Sequence, residues 1–349
     1  MSVDIQAARI PVVLLYCVDP QWTNDERDEV VSQSKQFGDA LARVGYPVYF
    51  VAIAGDNIAG QLRPFDPSEC IVFNWCEEIP GIEHSEWLVA KKLEMSGYTF
   101  TGASSGTLDL AQDKYRVKVI LDKAAIPTPA WQIFNSQYNG SWNIFPAIVK
   151  PQNEHCSAGI TPESVVTNPK ELKNRISFVL KTYSQPALVE DFIDGREFRV
   201  SVLGNETLTF LPVAEMDFSL FGKAEDRLCT YEAKFIPGSQ HYEEIKTLLP
   251  APLTNNEIEV LQKICSETYR ATGCRDYARM DVRLRGNVFY VLDVNPNADI
   301  SVDASMACAA ETAGISYGQL GSLIIKMAAQ RHPVFSTLFE STNKEGKIL

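Results

Sequence analysis

Apolar positions first appear as an uninterrupted run, PVVLLYCV at 11–18. A run this short without alternation predicts a strand covered on both faces. The pattern then changes to helical spacing from about Asp25 to Val44 and stops at Gly45. Strands over Pro47–Ile53 and Cys70–Trp75, a helix from about Ser85 to Met95 and a short strand at Tyr98–Thr101 follow. This alternation predicts a parallel sheet covered by helices, ending near Gln112. No GxGxxG follows the first strand and no GxxxxGK[ST] occurs, so neither a dinucleotide fold nor a P-loop has motif support.

Beyond Gln112 a helix over Lys114–Ala125 leads into IPTP at 126–129, which reads as a stiff linker. Strands Ala130–Phe134 and Phe145–Lys150, a polar loop Pro151–Gly159 and strand-like Ile160 come next. An amphipathic helix at 169–183, opened by Asn168-Pro169, precedes strand Ala187–Phe192. From about Ile193 the chain is strand-rich, then closes with helices near 303–313 and 316–331 and a loosely packed appendage past Pro333. Three units result: 1–112, an N-terminal α/β unit; 113–192, a small central α+β unit; and 193–349, a C-terminal α+β unit.

Within the last unit, ARMDVRLRGNVFYVLDVNPNADIS predicts a hairpin turning at Arg285-Gly286-Asn287. Strict alternation sets Arg279, Asp281 and Arg283 on one face of its first strand. It sets Phe289, Val291, Asp293 and Asn295 on one face of the second. Asp281, Asp293 and Asn295 then converge beside Arg279. Two carboxylates and an amide oxygen suit Mg²⁺ (or Mn²⁺), with further positions left for water and phosphate oxygens. A solvated polar face is the competing reading.

Composition narrows the class. A length of 349 residues allows two or three domains, and 45% hydrophobic with 22% charged residues is ordinary for a globular chain. The formal net charge of -12 argues against a broad nucleic-acid or anionic-membrane surface. No apolar run reaches membrane-span length, and the N-terminus lacks signal-peptide features. Eight cysteines without a CxxC fit reduced thiols in a cytoplasmic protein, and the four histidines lack zinc-site spacing.

Several upstream residues fit phosphate chemistry. Lys150 ends the apolar strand FPAIVK, where its ammonium can meet a phosphate or reach solvent. The loop that follows holds Cys156 and Ser157 and can fold backbone N–H groups over phosphates. His155-Cys156 also raises a thiol nucleophile, but adjacent side chains seldom present that geometry. LVEDFIDGREF at 188–198 reads as a hinge able to present backbone to a base and a carboxylate to ribose, or as an acidic turn. Lys234, in TYEAKF, is a mobile phosphate clamp or a surface lysine.

Taken in order, DKYRVKVIL, IPTP, FPAIVKP, VEDFIDGREF, YEAKF, ARMDV and LDVNPN resemble the ATP-grasp superfamily, and within it the D-alanine–D-alanine ligase-like carboxylate–amine ligases. The resemblance covers roughly residues 98–325 and implies an ATP-grasp fold with ATP between the central and C-terminal units. It implies that Lys114 and Lys150 contact phosphate and nucleotide, and that Glu190, Asp191, Phe192 and Ile193 form the adenine-reading hinge. It implies Glu197 as the ribose carboxylate and Lys234 as the γ-phosphate lysine. Asp281, Asp293 and Asn295 become the metal ligands, and Arg279 stabilises the charged intermediate.

The chain also departs from that family. DPQWTNDERDEV replaces the family's glycine-rich serine-glutamate motif, with Glu26 as the candidate substitute for the glutamate. Cys156 and Phe235 stand where the family has serine and tyrosine, and Asp293 where it has glutamate. PNADISVDAS replaces the proline-glycine turn that receives the acceptor carboxylate. Asp299 and Asp303 there suit a positive or hydroxyl-rich substrate group. The resemblance implies an ATP-dependent ligase working through an acyl phosphate on small-molecule carboxylate and amine substrates. An amino-acid or dipeptide ligase with non-standard substrates is the leading expectation. A D-alanine–D-alanine (or D-alanine–hydroxy acid) ligase and a non-catalytic ATP-binding regulatory module are the alternatives, and related ligases imply a homodimer.

Overall fold

The computed structural model describes residues 9–137, 140–155, 157–236 and 238–338; the side chains of Lys234 and Phe235 lie outside that description. The first unit carries β1 (Val12–Cys17), α1 (Asn24–Arg43), β2 (Val48–Ile53), α2 (Ile58–Leu62), β3 (Ile71–Trp75), α3 (Glu86–Met95) and α4 (Ser105–Gln112). Its sheet is parallel in the order β2-β1-β3, so β1 is central. That position explains its unbroken apolar run. The strand expected at Tyr98–Thr101 reduces to a single bridge from Phe100 to Val72. The chain turns there through Gly102, at φ 87°, into the Ser104 cap of α4.

Next come α5 (Lys114–Lys123), β4 (Trp131–Phe134), β5 (Ala147–Pro151), β6 (Val165–Val166), α6 (Pro169–Thr182) and β7 (Ala187–Asp191). The strands form an antiparallel sheet in the order β4-β7-β5-β6. Asn168 accepts from the backbone of Lys170 and Glu171 and Pro169 opens α6, as the sequence predicts. Ile160 forms no strand; it packs against Ile148, Val165 and Phe192. IPTP is not a free linker. Ile126 lies in the core of the following sheet, and the Val291 N–H donates to the Pro127 carbonyl at 2.9 Å.

The remaining elements are β8 (Arg196–Gly204), β9 (Leu208–Phe210), β10 (Ala214–Asp217), α7 (Glu232–Phe235), α8 (Gln240–Glu244), β11 (Lys246–Leu248), α9 (Asn255–Ala271), β12 (Tyr277–Arg285), β13 (Val288–Asn295), α10 (Ser305–Thr312) and α11 (Tyr317–Ala329). Their antiparallel sheet runs β11-β10-β8-β12-β13, with β9 paired to β8. Its core takes Leu261, Ile264 and Cys265 from α9 and also Val117 and Leu121 from α5. Thus α5 belongs by packing to this sheet, although it precedes the central one in sequence.

The C-terminal helices return to the first sheet. Leu320, Ile324 and Ala328 share a core with Val12, Leu14, Phe37 and Phe73. Two glycines permit the close crossing of α11 on α1. A Cβ on Gly318 would stand 2.3 Å from the Ala40 carbonyl oxygen, and one on Gly321 would stand 2.6 Å from a Leu41 methyl. The expected loose appendage is instead docked as far as it is described. His332 bonds the Pro67 carbonyl at 3.0 Å and stacks on buried Phe335. No helix among the described residues is long and apolar enough to cross a membrane.

Candidate active site

A cleft of about 1650 Å³ opens between the three sheets. Lys114, Lys150, Ser157, Glu190, Asp191, Phe192, Ile193, Glu197, Arg279, Asp281, Asp293, Asn295, Asp299 and Asp303 all line it. Cys156 and the Lys234 side chain lie outside the described residues.

The hairpin supplies one wall, with a correction to its phase. Asp281 pairs with Asp293, but Val282 pairs with Val291, leaving Leu292 as the extra residue of a bulge. Phe289 and Val291 therefore join Met280 and Val282 in the core, while Asp293 and Asn295 face the cleft. Strict alternation put all four on one face. Arg279 holds Asp281 through Nε to Oδ1 at 2.8 Å and Nη2 to Oδ2 at 3.0 Å. Burial opposes the Arg279 charge, but Asp281, Asp293 and Asp299 outweigh it and raise its pKa. Among the described residues no group of three or more His, Cys, Asp or Glu gathers as a metal cage. The donors present, two carboxylates and an amide, fit a hard cation that shares its other positions with water and phosphate oxygens.

Opposite lies a cationic wall. Lys114 donates to the Glu154 carbonyl, and burial lowers its pKa. Lys150 lies 2.6 Å from Glu190, whose other oxygen is 2.5 Å from Lys118. Glu190 is thus engaged by two ammonium groups, an arrangement that its place in the hinge motif did not reveal. The rest of the hinge is also pinned. Asp191 takes Arg285 at 3.0 and 2.5 Å, and the Ile193 carbonyl accepts from Arg283 at 2.9 Å. Arg283 is almost fully buried, stacks over Phe192 and bonds Glu197 at 2.7 Å. Ser157, at φ 64°, donates to the Cys229 carbonyl at 2.9 Å and so ties the phosphate-loop candidate to the third unit. Burial and the Lys114 charge push His155 down to about 4, so it is neutral at pH 7.

One candidate leaves the site. Glu26 accepts from the Thr23 backbone N–H at 2.7 Å and hydroxyl at 2.8 Å, closing the capping box of α1. These contacts lower its pKa, it faces solvent, and it does not line the cleft. Its TNDE context reads as a cap signal, which could have been recognised from the sequence. Asp299 accepts from the Ser301 N–H at 2.8 Å and hydroxyl at 2.6 Å while still lining the cleft. Beside it stand three carboxylates from the first unit that the sequence did not single out: Glu77, Glu78 and Glu86. Burial raises Glu77 and lifts Glu86 to about 8. Asn297 donates to Glu86 at 2.8 Å and accepts the Ala103 N–H at 2.8 Å, fastening the segment after the hairpin to the first sheet. Arg199, directly opposite Asp281 on β8, reaches Ser305 at 2.8 Å.

The family model described as D-ala D-ala ligase C-terminus matches residues 120–326. An uncharacterised protein of Sinorhizobium fredii is 35% identical over 78% of this chain and 79% of its own length. A D-alanine–D-alanine ligase of Marinomonas sp. is 31% identical over 87% of this chain and 92% of its own. The crystal structure of D-alanine–D-alanine ligase from Bacillus anthracis complexed with ATP superposes with a TM-score of 0.68 at 18% identity, covering 93% of this chain and 99% of that one.

Proposed function

As a member of the D-alanine–D-alanine ligase-like family of the ATP-grasp superfamily, the chain is an ATP-dependent, ADP-forming ligase, and from that premise we propose that it joins an amino acid or similar carboxylate to an amine other than D-alanine. The observation that carries this reading is the acidic face of the cleft, where Glu77, Glu78, Asp299 and Asp303 meet the cationic wall of Lys114 and Lys150. The cationic wall suits a triphosphate. The acidic face suits a substrate with a positive or hydroxyl-rich group and disfavours a bare carboxylate.

In this reading a substrate carboxylate oxygen attacks the γ-phosphorus, ADP leaves, and an acyl phosphate forms. The amine then attacks the acyl carbon, inorganic phosphate departs, and the nitrogen loses a proton. Lys150 and Lys234 neutralise the transferring phosphoryl group, and Arg279 faces the oxyanion formed at the acyl carbon. Glu197 and the strand Glu190–Ile193 hold the nucleoside, and the loop of Cys156 and Ser157 excludes water. Asp281, Asp293 and Asn295 would hold Mg²⁺ or Mn²⁺, which supplies positive charge to the phosphate oxygens. Cys17, Cys70, Cys76, Cys265, Cys274 and Cys308 are free thiols, which supports a reducing, cytoplasmic setting. We take the working unit as a homodimer whose chains divide in sequence near residues 112 and 192, with α5 packed on the third unit.

D-alanine–D-alanine ligation is the second reading, favoured by the function named for the Marinomonas relative. An ADP-release screen of paired amino acids and amines, with mass detection of products, separates the two. Basic or hydroxylated substrates should exceed D-alanine, and Asp293→Ala or Lys150→Ala should abolish turnover. Preference for two D-alanines would sink the leading reading. Tight ATP binding without ADP from any pair would favour a non-catalytic module.

A further inference from the structure

The bulge at Leu292 and the carboxylate of Glu190 share one cation. Lys118, in the middle of α5, is 1% exposed. Its Nζ lies 2.5 Å from Glu190 Oε1 and 2.6 Å from Thr128 Oγ1. It also donates to the Val291 and Leu292 carbonyl oxygens, each at 3.4 Å. Thr128 donates to the same Val291 oxygen at 2.9 Å. An ammonium has three protons and no lone pair, so four oxygens around it form a cage suited to a cation alone.

Burying such a charge is costly unless its partners are prearranged, and an apolar side chain at this position would avoid that cost. The identity of the partners shows what the charge accomplishes. Two are carbonyls of the bulge, where the ladder to β12 is interrupted. The bulge is what rotates Asp293 onto the face of Asp281. The third is Glu190, whose opposite oxygen is 2.6 Å from Lys150. With Lys118 sharing that carboxylate, Lys150 can depart toward a phosphate without leaving Glu190 unpaired. Lys118 therefore spans the third unit, where α5 packs, and the hinge strand of the second.

We propose that Lys118 is a positioning residue for the metal–triphosphate end of the cleft, holding the Leu292 bulge so that Asp293 faces Asp281 and sharing Glu190 so that Lys150 is free for phosphate. This rests on the ligase reading above. A purely structural role would weaken every ligand equally, whereas this one acts on the metal-dependent part of nucleotide binding.

The test measures ATP affinity by calorimetry with excess Mg²⁺ and with EDTA, in the full-length wild type, Lys118→Met and Thr128→Val. The affinity gained by adding Mg²⁺ should shrink about tenfold in K118M and by a smaller factor in T128V, which loosens the bulge and leaves Glu190 untouched. If K118M does not fold, T128V decides. Equal losses with and without Mg²⁺, or an unchanged gain, overturn the positioning role while the ligase reading stands. A wild type that binds no Mg²⁺–ATP overturns both.

Discussion

Glu190 offers the sharpest energetic test, because it is a buried carboxylate between two lysines. It is 1% exposed, and its oxygens lie 2.5 Å from Lys118 and 2.6 Å from Lys150. Burial alone would push this carboxyl up, yet Lys118 and Lys150 hold it down at about 2 against an ordinary 4.5. That depression corresponds to about 3 kcal/mol in favour of the folded state. Breaking a buried pair by removing one partner independently suggests about 3–5 kcal/mol. The perturbation is Glu190→Gln in the nucleotide-free protein, which leaves both ammonium groups without their shared counter-charge. A loss of this size should lower the melting temperature at pH 7 by roughly 4–7 °C in a chain this long. The sign with pH follows from the depressed value. The wild-type contribution is complete above about pH 4.5 and fades as pH falls toward about 2, so the two proteins should converge over that window. Melting curves followed by intrinsic fluorescence from pH 7 to pH 3 measure it. Equal stability at pH 7, or a difference that widens on acidification, would refute the reasoning.

Two further outcomes follow from the packing. Gly318→Ala should destabilise the protein by about 1–3 kcal/mol despite alanine's better helix propensity, because the new Cβ meets the Ala40 carbonyl of α1; a melting temperature at or above wild type would show that α11 shifts freely. Glu26→Ala should leave kcat and KM for every productive substrate pair within twofold of wild type, since the carboxylate caps α1 outside the cleft; a large KM change for one substrate would return Glu26 to the site.

Local signals carried much of the element pattern. Buried β1, the Asn168-Pro169 helix start and the turn at Gly286 each depend on neighbours in sequence. The convergence of Asp281 with Asp293 was also legible, but not the bulge that achieves it. One extra residue leaves no mark in an apolar stretch such as FYVLDV, and it reverses the face of everything beyond it. Lys118 escaped notice because a lysine four residues after another on a helix ordinarily reads as a solvated face; only the tertiary fold buries it. The acidic wall was half visible. Asp299 and Asp303 stood out beside the hairpin, whereas Glu77, Glu78 and Glu86 reach the cleft from the opposite end of the chain. The docking of α11 on the first sheet was invisible for the same reason, being a contact between distant segments.

The glycine-cushioned crossing of α11 on α1 has a mechanical consequence. It welds the first and third sheets into one stiff block. Further bolts come from Arg331 and the Gly102 N–H on buried Asp276, and from Asn297 between Glu86 and Ala103. The central sheet is tied to that block by Lys118 to Glu190, Arg285 to Asp191 and Ser157 to the Cys229 carbonyl. The acidic half of the cleft is standing architecture, present before any ligand arrives. The phosphate half is shared, with Lys114, Asp281, Asp293 and Asn295 on the block and Lys150 and Glu190 on the central sheet, so a nucleotide seated there would bridge the two.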